Sequence, residues 1–449
     1  MKLEEYKGDI APGGSSETSK WLSASLAQIS RDRLCELAMA ITAIPSPTGN
    51  ERPLAEFLVD TMNKAGLEAA YQSIDPDQGN AIARYRGTGD GPDLMLYAPI
   101  DTHIAGTVEE DVPWIGPEIR PDLKPEPFVE NGMVIGLCSD NPKGHAACCI
   151  AAAEAIKRAG VPLKGDLMIG LGAGGMPTNK RPAIDRFNAG QGNGASFMIE
   201  QGFISDFAII TKPGWTVAYE EVGLSWFKIT LNGYFGYAGS RHRVKHKNPI
   251  IDAAKVIEGL EEWFPEYTVR NTSGLVAPQG SIGAIEGGYT YKPSFIPSAC
   301  NIYLDLRLSP RTDPRDARQQ LLAGLEKIRA KHPDLDMTCE MVLAIPGTST
   351  PQDNWIIQSG VRAWEAVEGA PHEFKPGTSG ATDANILRAR GIPTARIGMP
   401  PIAKPNPYTS KFSMGVTDLG EMERLTQTLI RVALDTCTKT RAEVGLTSY

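Results

Sequence analysis

Residues 93–98 (DLMLYA), 165–171 (GDLMIGL) and 206–211 (DFAIIT) are apolar at almost every position. A strand with no polar face must be covered on both sides, which requires a sheet lying between two layers of helix. The segments between supply the helices. Leu34, Leu37, Ala38 and Ile41 recur at helical spacing, residues 51–66 repeat it with Leu54, Phe57, Leu58 and Met62, and 144–160 is an Ala-rich helix ending at Gly160. With a further strand at 80–85, this alternation predicts a three-layer α/β domain.

The pattern changes near residue 215. Residues 217–232 read as strands, 250–263 as a helix, 299–308 as a strand and 314–331 as a helix. That is a compact α+β insert, ferredoxin-like in its order, over 216–335. The first pattern then returns, with a helix at 353–369, a strand at 394–398 and a long helix at 417–440. The expected organisation is a discontinuous domain, 1–215 plus 336–449, interrupted by the insert. Residues 1–20, polar and rich in Gly and Ser, are expected to form a flexible tail, and 109–127, rich in Pro and acidic residues, a loop.

The 449 residues carry a net charge of −8, which argues against a general nucleic-acid or membrane-surface binder. The seven cysteines are odd in number and form no CxxC pair, so neither a disulfide scaffold nor a cysteine zinc site is expected. No apolar stretch at the N-terminus suggests a secretory signal, and none elsewhere is long enough to span a membrane. The expected location is the cytoplasm.

Several stretches carry a resemblance. Ile44-Pro-Ser-Pro-Thr-Gly-Asn-Glu51, Leu94-Met-Leu-Tyr-Ala-Pro-Ile-Asp101-Thr, Gly136-Leu-Cys-Ser-Asp-Asn-Pro-Lys-Gly144, Asp305-Leu-Arg307 and Gly377-Thr-Ser-Gly-Ala-Thr-Asp-Ala-Asn385 occur in this order. In order and spacing the chain, from about 34 to 440, resembles zinc metallopeptidase family 20, which includes the aminoacylases, acetylornithine deacetylases and succinyl-diaminopimelate desuccinylases. The resemblance implies a zinc-peptidase-like catalytic domain, a lid that also dimerises, and cleavage of an amide bond by two zinc ions held by histidines and carboxylates. It also implies a homodimer.

The ligand positions do not follow the family. The first ligand histidine falls on Pro99, the bridging aspartate on Asn141, the Glu-Glu pair on Gly175-Met176, the next carboxylate on Lys212 and the terminal histidine on Tyr408. The insert's catalytic histidine falls on Tyr237. Pro and Gly offer no donor side chain, and a lysine sets a cation where zinc would sit. Asp140 stands one residue before the aligned bridging position, but one carboxylate does not hold a zinc pair. Neither metal nor cofactor is therefore expected.

The residues that remain suggest other chemistry. Lys212 and Asp101, expected at the ends of neighbouring strands, are candidates for an acid–base pair or for a salt bridge that fills the place of the metal. Tyr237 can donate a proton, and His103 can serve as an acid or base. Asn141, Lys143 and His145 are expected to line the pocket at a helix N-terminus, with Cys138 close by. Gly174 and Gly175 can offer backbone N–H groups to a carbonyl oxygen, or can simply make a tight turn. Arg241 and His242, in the basic run Ser240–Lys247, suit an anion, although such runs are more often solvated loops. Ser379, Thr382, Asp383 and Tyr408 are further candidates for substrate contacts.

The leading expectation is a metal-independent hydrolase of an amide or related C–N bond in a small carboxylated molecule. The alternatives are a non-catalytic pseudoenzyme acting as a binding or regulatory subunit, and a lyase or decarboxylase using Lys and Tyr.

Overall fold

The computed structural model describes residues 16–181, 185–402, 407–408 and 414–447. The expected tail lies partly outside these residues. Its last part, from Ser16, opens the helix α1 (Ser16–Leu26). The chain divides into two units. One contains residues up to 219, Thr350–Phe374 and the segment from Thr382 onward; the other contains Glu220–Ser349 and Lys375–Ala381.

The larger unit is built on a six-stranded sheet. Its strands are β1 (Glu68–Ser73), β2 (Gly79–Tyr85), β3 (Leu94–Pro99), β4 (Leu167–Gly172), β5 (Phe207–Thr211) and β6 (Thr394–Ile397), in the order β1-β2-β4-β3-β5-β6. β3 runs parallel to both neighbours, with Leu96 beside Ile169 on one side and Ile209 on the other. β5 and β6 are also parallel, whereas β1 and β2 add antiparallel pairs at the other edge.

Successive residues of β3 face opposite layers, as strand geometry requires. Leu94, Leu96 and Ala98 enter a core shared with α2 (Arg31–Thr42), α3 (Arg52–Lys64), α4 (His145–Arg158), α6 (Trp355–Glu368) and α8 (Leu419–Cys437). Met95 and Tyr97 enter a second core with residues of α5 (Asn193–Glu200) and α7 (Ala384–Ala389). The two-sided burial expected from the apolar runs is thus met by two helical layers. Local chemistry fixes where helices begin: Ser30 accepts the Arg33 N–H at the start of α2, and Asp418 accepts the Gly420 N–H at the start of α8.

The smaller unit carries a four-stranded antiparallel sheet. Its strands lie in the order Gly280–Gly287, Ala299–Leu308, Gly223–Asn232, Met337–Ile345. Residues alternate strictly between buried and half-buried along Ala299–Leu308, so one face packs on the helices Pro249–Asn271 and Pro314–Lys331. Because Met337–Ile345 pairs with Gly223–Asn232, this unit runs to Ser349 rather than stopping at 335. The first helix runs past 263 to Asn271, since Trp263, Phe264 and Tyr267 all bury their rings in this core.

Among the described residues, no helix is long and apolar enough to cross a membrane.

Leu96 is fully buried at the middle of the sheet. Leu96→Ala should lower the unfolding free energy by about 3 kcal/mol, read as a lower denaturant midpoint; a loss below about 1 kcal/mol would contradict its central position.

Candidate active site

The parallel pairing of β3 with β4 and β5 brings three strand ends to one edge of the sheet. Asp101 follows β3, the turn Ala173–Met176 follows β4, and Lys212 follows β5. Open α/β sheets present their ligand sites at such strand ends.

Asp101 is fully buried and accepts three hydrogen bonds. Gly175 N–H donates to Oδ1 at 2.9 Å, Met176 N–H to Oδ2 at 2.8 Å, and the Thr48 hydroxyl to Oδ2 at 2.7 Å. The preceding N–H in the turn, from Gly174, donates to Glu51 Oε1 at 2.9 Å. That oxygen also receives Gly49 N–H and the Gln78 amide. Two buried carboxylates therefore take up three consecutive N–H groups. The turn needs glycine twice: Gly174 has φ +62°, and a Cβ on Gly175 would lie 2.5 Å from Pro99 Cβ.

This arrangement corrects the expectation for Gly174 and Gly175. Their N–H groups point inward to carboxylates and offer nothing to a substrate oxygen.

Lys212 is 6% exposed. Its ammonium donates to Asn141 Oδ1 at 3.1 Å and faces the Met176 sulfur at 3.9 Å. Among the described residues it makes no ion pair, so the expected contact with Asp101 is not formed; the Asp101 oxygens are already committed to the turn. Lys212 still senses charge. Burial lowers its pKa, against the pull of Asp101 and Asp383 and with the push of Arg396. Of its three protons, one sits on an oxygen.

The segment 138–145 divides between site and scaffold. Asn141, nearly buried, holds Lys212 and points its amide nitrogen to the Met414 sulfur at 3.4 Å. Lys143, expected as a substrate contact, is instead fully buried and donates to the carbonyls of Ile44 at 2.7 Å and Thr42 at 3.3 Å, closing the C-terminal end of α2. His145 was expected in the pocket as well. Both its ring nitrogens are occupied: Nδ1 lies 2.8 Å from the Asp140 carbonyl, and Nε2 accepts the Met399 N–H at 3.3 Å. Burial pushes its pKa down to about 3, so it stays neutral as a structural crosslink. Cys138 is buried, and burial pushes its thiol up to about 12, which removes it as a thiolate nucleophile.

His103 is half-buried, and burial followed by the Lys212 charge pushes it down to about 4. An imidazole so weakly basic is a poor general base near neutrality, contrary to expectation. Burial raises the Asp140 carboxyl to about 7, against the pull of Lys212.

Asp383 accepts the buried Tyr97 hydroxyl at 2.6 Å. Thr382 Oγ1 accepts the Ala384 N–H at the start of α7, so it serves the helix start. Tyr408 packs beside Met133, Ile135 and Val416.

The remaining candidates belong to the smaller unit. Ser379 Oγ accepts the Gln279 N–H. Tyr237 is 51% exposed and packs on Phe295. Arg241 donates to His246 in an exposed loop that also holds His242.

Among the described residues, no three His, Cys, Asp or Glu side chains come together as a metal-holding group. The donor set around Lys212 does not fit a zinc pair: an ammonium, the Asn141 amide and the Met176 thioether lie there, and the positions that the resemblance aligns with ligands hold Pro99, Asn141, Gly175, Lys212 and Tyr408. Two residues of this site escaped the reading of the sequence: Glu51 was visible only as the last letter of the turn motif, and Tyr97 only as an apolar strand residue.

Comparison with known proteins adds relatives. The M20 peptidase dimerisation domain matches residues 219–333. The chain is 22% identical over 324 residues to N-formyl-4-amino-5-aminomethyl-2-methylpyrimidine deformylase of Bacillus subtilis, covering 68% of this chain and 69% of that protein. Its fold resembles the dipeptidase Dug1p of Saccharomyces cerevisiae, with TM-score 0.70 and 12% identity over 93% of this chain and 98% of that one. It also resembles an M20 family metallo-carboxypeptidase of Sulfolobus solfataricus, with TM-score 0.65 and 14% identity over 90% and 99%.

Glu51 supplies a test of the buried carboxylates. Burial, then the Asp101 charge, raises its pKa. A carboxyl raised in the folded state gives stability that is full below its unfolded pKa and is lost as pH rises through the folded one. Between about pH 5 and about pH 8, wild type should therefore lose stability relative to Glu51→Gln, by about 1.4 kcal/mol for each pH unit between the unfolded and folded pKa. Thermal melts of both proteins at the two pH values check this; a gap that stays constant or moves the other way would refute it.

Proposed function

We propose, from the premise that this chain carries the M20 peptidase dimerisation domain on the fold of the M20 peptidases, that its larger unit hydrolyses a small-molecule amide without a metal pair. The observation that carries the reading is the buried Lys212 ammonium, held by one oxygen, at the position that the family resemblance aligns with a metal ligand. An ammonium with donors to spare in a low-dielectric setting can polarise a carbonyl and stabilise the oxyanion that forms on it. Asn141 fixes its position, and the thioethers of Met176 and Met414 leave the adjoining surface apolar and adaptable.

The relatives are amide hydrolases, one of them a deformylase, which favours a short N-acyl amide such as a formamide or acetamide. The substrate need not be strongly anionic on the side of Lys212, because Asp101, Asp383 and Asp140 surround that lysine. We further propose a homodimer through the smaller unit, whose edge strand Gly280–Gly287 is largely exposed along its length. The seven free cysteines suit a reducing compartment such as the cytoplasm.

The test is kinetic. A panel of N-formyl and N-acetyl amines, including the formylated aminopyrimidine, would be screened for amine release. Lys212→Met should lower kcat by about 100-fold or more, as loss of an oxyanion donor does, with Lys212→Arg partly active. An unchanged rate in Lys212→Met would refute the role of the ammonium.

A further inference from the structure

Amide cleavage by water needs a group to take the water's proton and return it to the nitrogen that leaves. Three carboxylates sense the charge of Lys212: Asp101, Asp383 and Asp140. Asp101 is fully buried, with both oxygens committed to Thr48 and the turn. Asp383 is 5% exposed and holds the Tyr97 hydroxyl. Asp140 differs from both.

The Asp140 side chain is 25% exposed and accepts no hydrogen bond among the described residues; its Oδ1 lies 3.9 Å from His145 Nδ1. Its main chain, in contrast, is held on both sides. The N–H donates to the Met414 carbonyl at 3.0 Å, and the carbonyl faces His145 Nδ1 at 2.8 Å. The next residue, Asn141, accepts a hydrogen bond from Lys212. A rigid backbone thus carries a partly exposed carboxylate, one residue from the anchor of Lys212. Catalytic groups are held in this manner, by support outside the reacting atoms.

We infer that Asp140 is the general base of the amide cleavage, an inference that rests on the hydrolase reading. Asp140 takes a proton from water as the water oxygen bonds to the carbonyl carbon. Lys212 stabilises the oxyanion. As the C–N bond breaks, Asp140 passes the proton to the departing nitrogen, giving the acid and the amine with no other reactant. The structural role of His145 follows, since its ring ties the Asp140 carbonyl to the Met399 N–H.

The experiment compares wild type, Asp140→Asn and Asp140→Glu on whichever N-formyl or N-acetyl amine of the panel is turned over, with thermal melts beside the kinetics. Asp140→Asn should keep the wild-type melting temperature and KM while losing about 100-fold or more in kcat. The acid limb of its pH–rate profile should disappear. Asp140→Glu should regain part of the rate and the limb. If Asp140→Asn keeps the wild-type rate and limb, Asp140 is not the base, while the Lys212 reading stands. If kcat falls only together with the melting temperature, and Asp140→Glu regains neither, its role is structural and the inference is overturned. If wild type releases amine from no member of the panel, the hydrolase reading fails, and the role of Asp140 with it.

Discussion

The carboxylate of Asp101 fixes the geometry on which the rest of the site depends. It terminates the central strand β3 and reaches across to the end of β4, where it takes the N–H groups of Gly175 and Met176. Glu51 takes the N–H before them. A turn that might present backbone donors to a ligand is drawn inward, and Met176 is set against Lys212. Burying carboxylates is costly unless their oxygens are satisfied. Here the N–H groups of Gly174, Gly175 and Met176, together with the Thr48 hydroxyl and the Gln78 amide, satisfy both Asp101 oxygens and Glu51 Oε1, while Glu51 Oε2 stays without a partner among the described residues.

Within that frame, the positions that the family resemblance aligns with metal ligands hold a lysine, an amide, two residues without donor side chains and a packed phenol. Asn141 holds Lys212 at a fixed point, where burial lowers its pKa against the pull of Asp101 and Asp383. The same surroundings separate the roles of neighbouring groups. His145 and Lys143 are absorbed into the scaffold, by the Met399 N–H and by the end of α2, whereas Asp140 keeps its side chain open.

Much of the fold was legible because it depends on periodicity. The apolar runs at 93–98, 165–171 and 206–211 became the central strands, and the helices between them were marked by spacing and caps. The site was legible only in part. Lys212 and Asp101 could be placed at strand ends, but not the direction in which their side chains bond. Whether Asp101 meets a lysine or two backbone N–H groups depends on the turn 173–176, and that conformation is not written in residue types alone. Lys143 and His145 show the same limit, since a polar residue near a helix start is a ligand or a brace according to which carbonyls lie within about 3 Å of it. Glu51 was overlooked because its partners are backbone groups remote in sequence.

The central claim is that Lys212, and not a metal pair, carries the electrophilic role. Elemental analysis of active, chelator-treated protein tests it most directly. The account predicts fewer than about 0.1 zinc ion per chain with turnover unchanged. About two zinc ions per chain, with activity lost on chelation and restored by zinc, would contradict it.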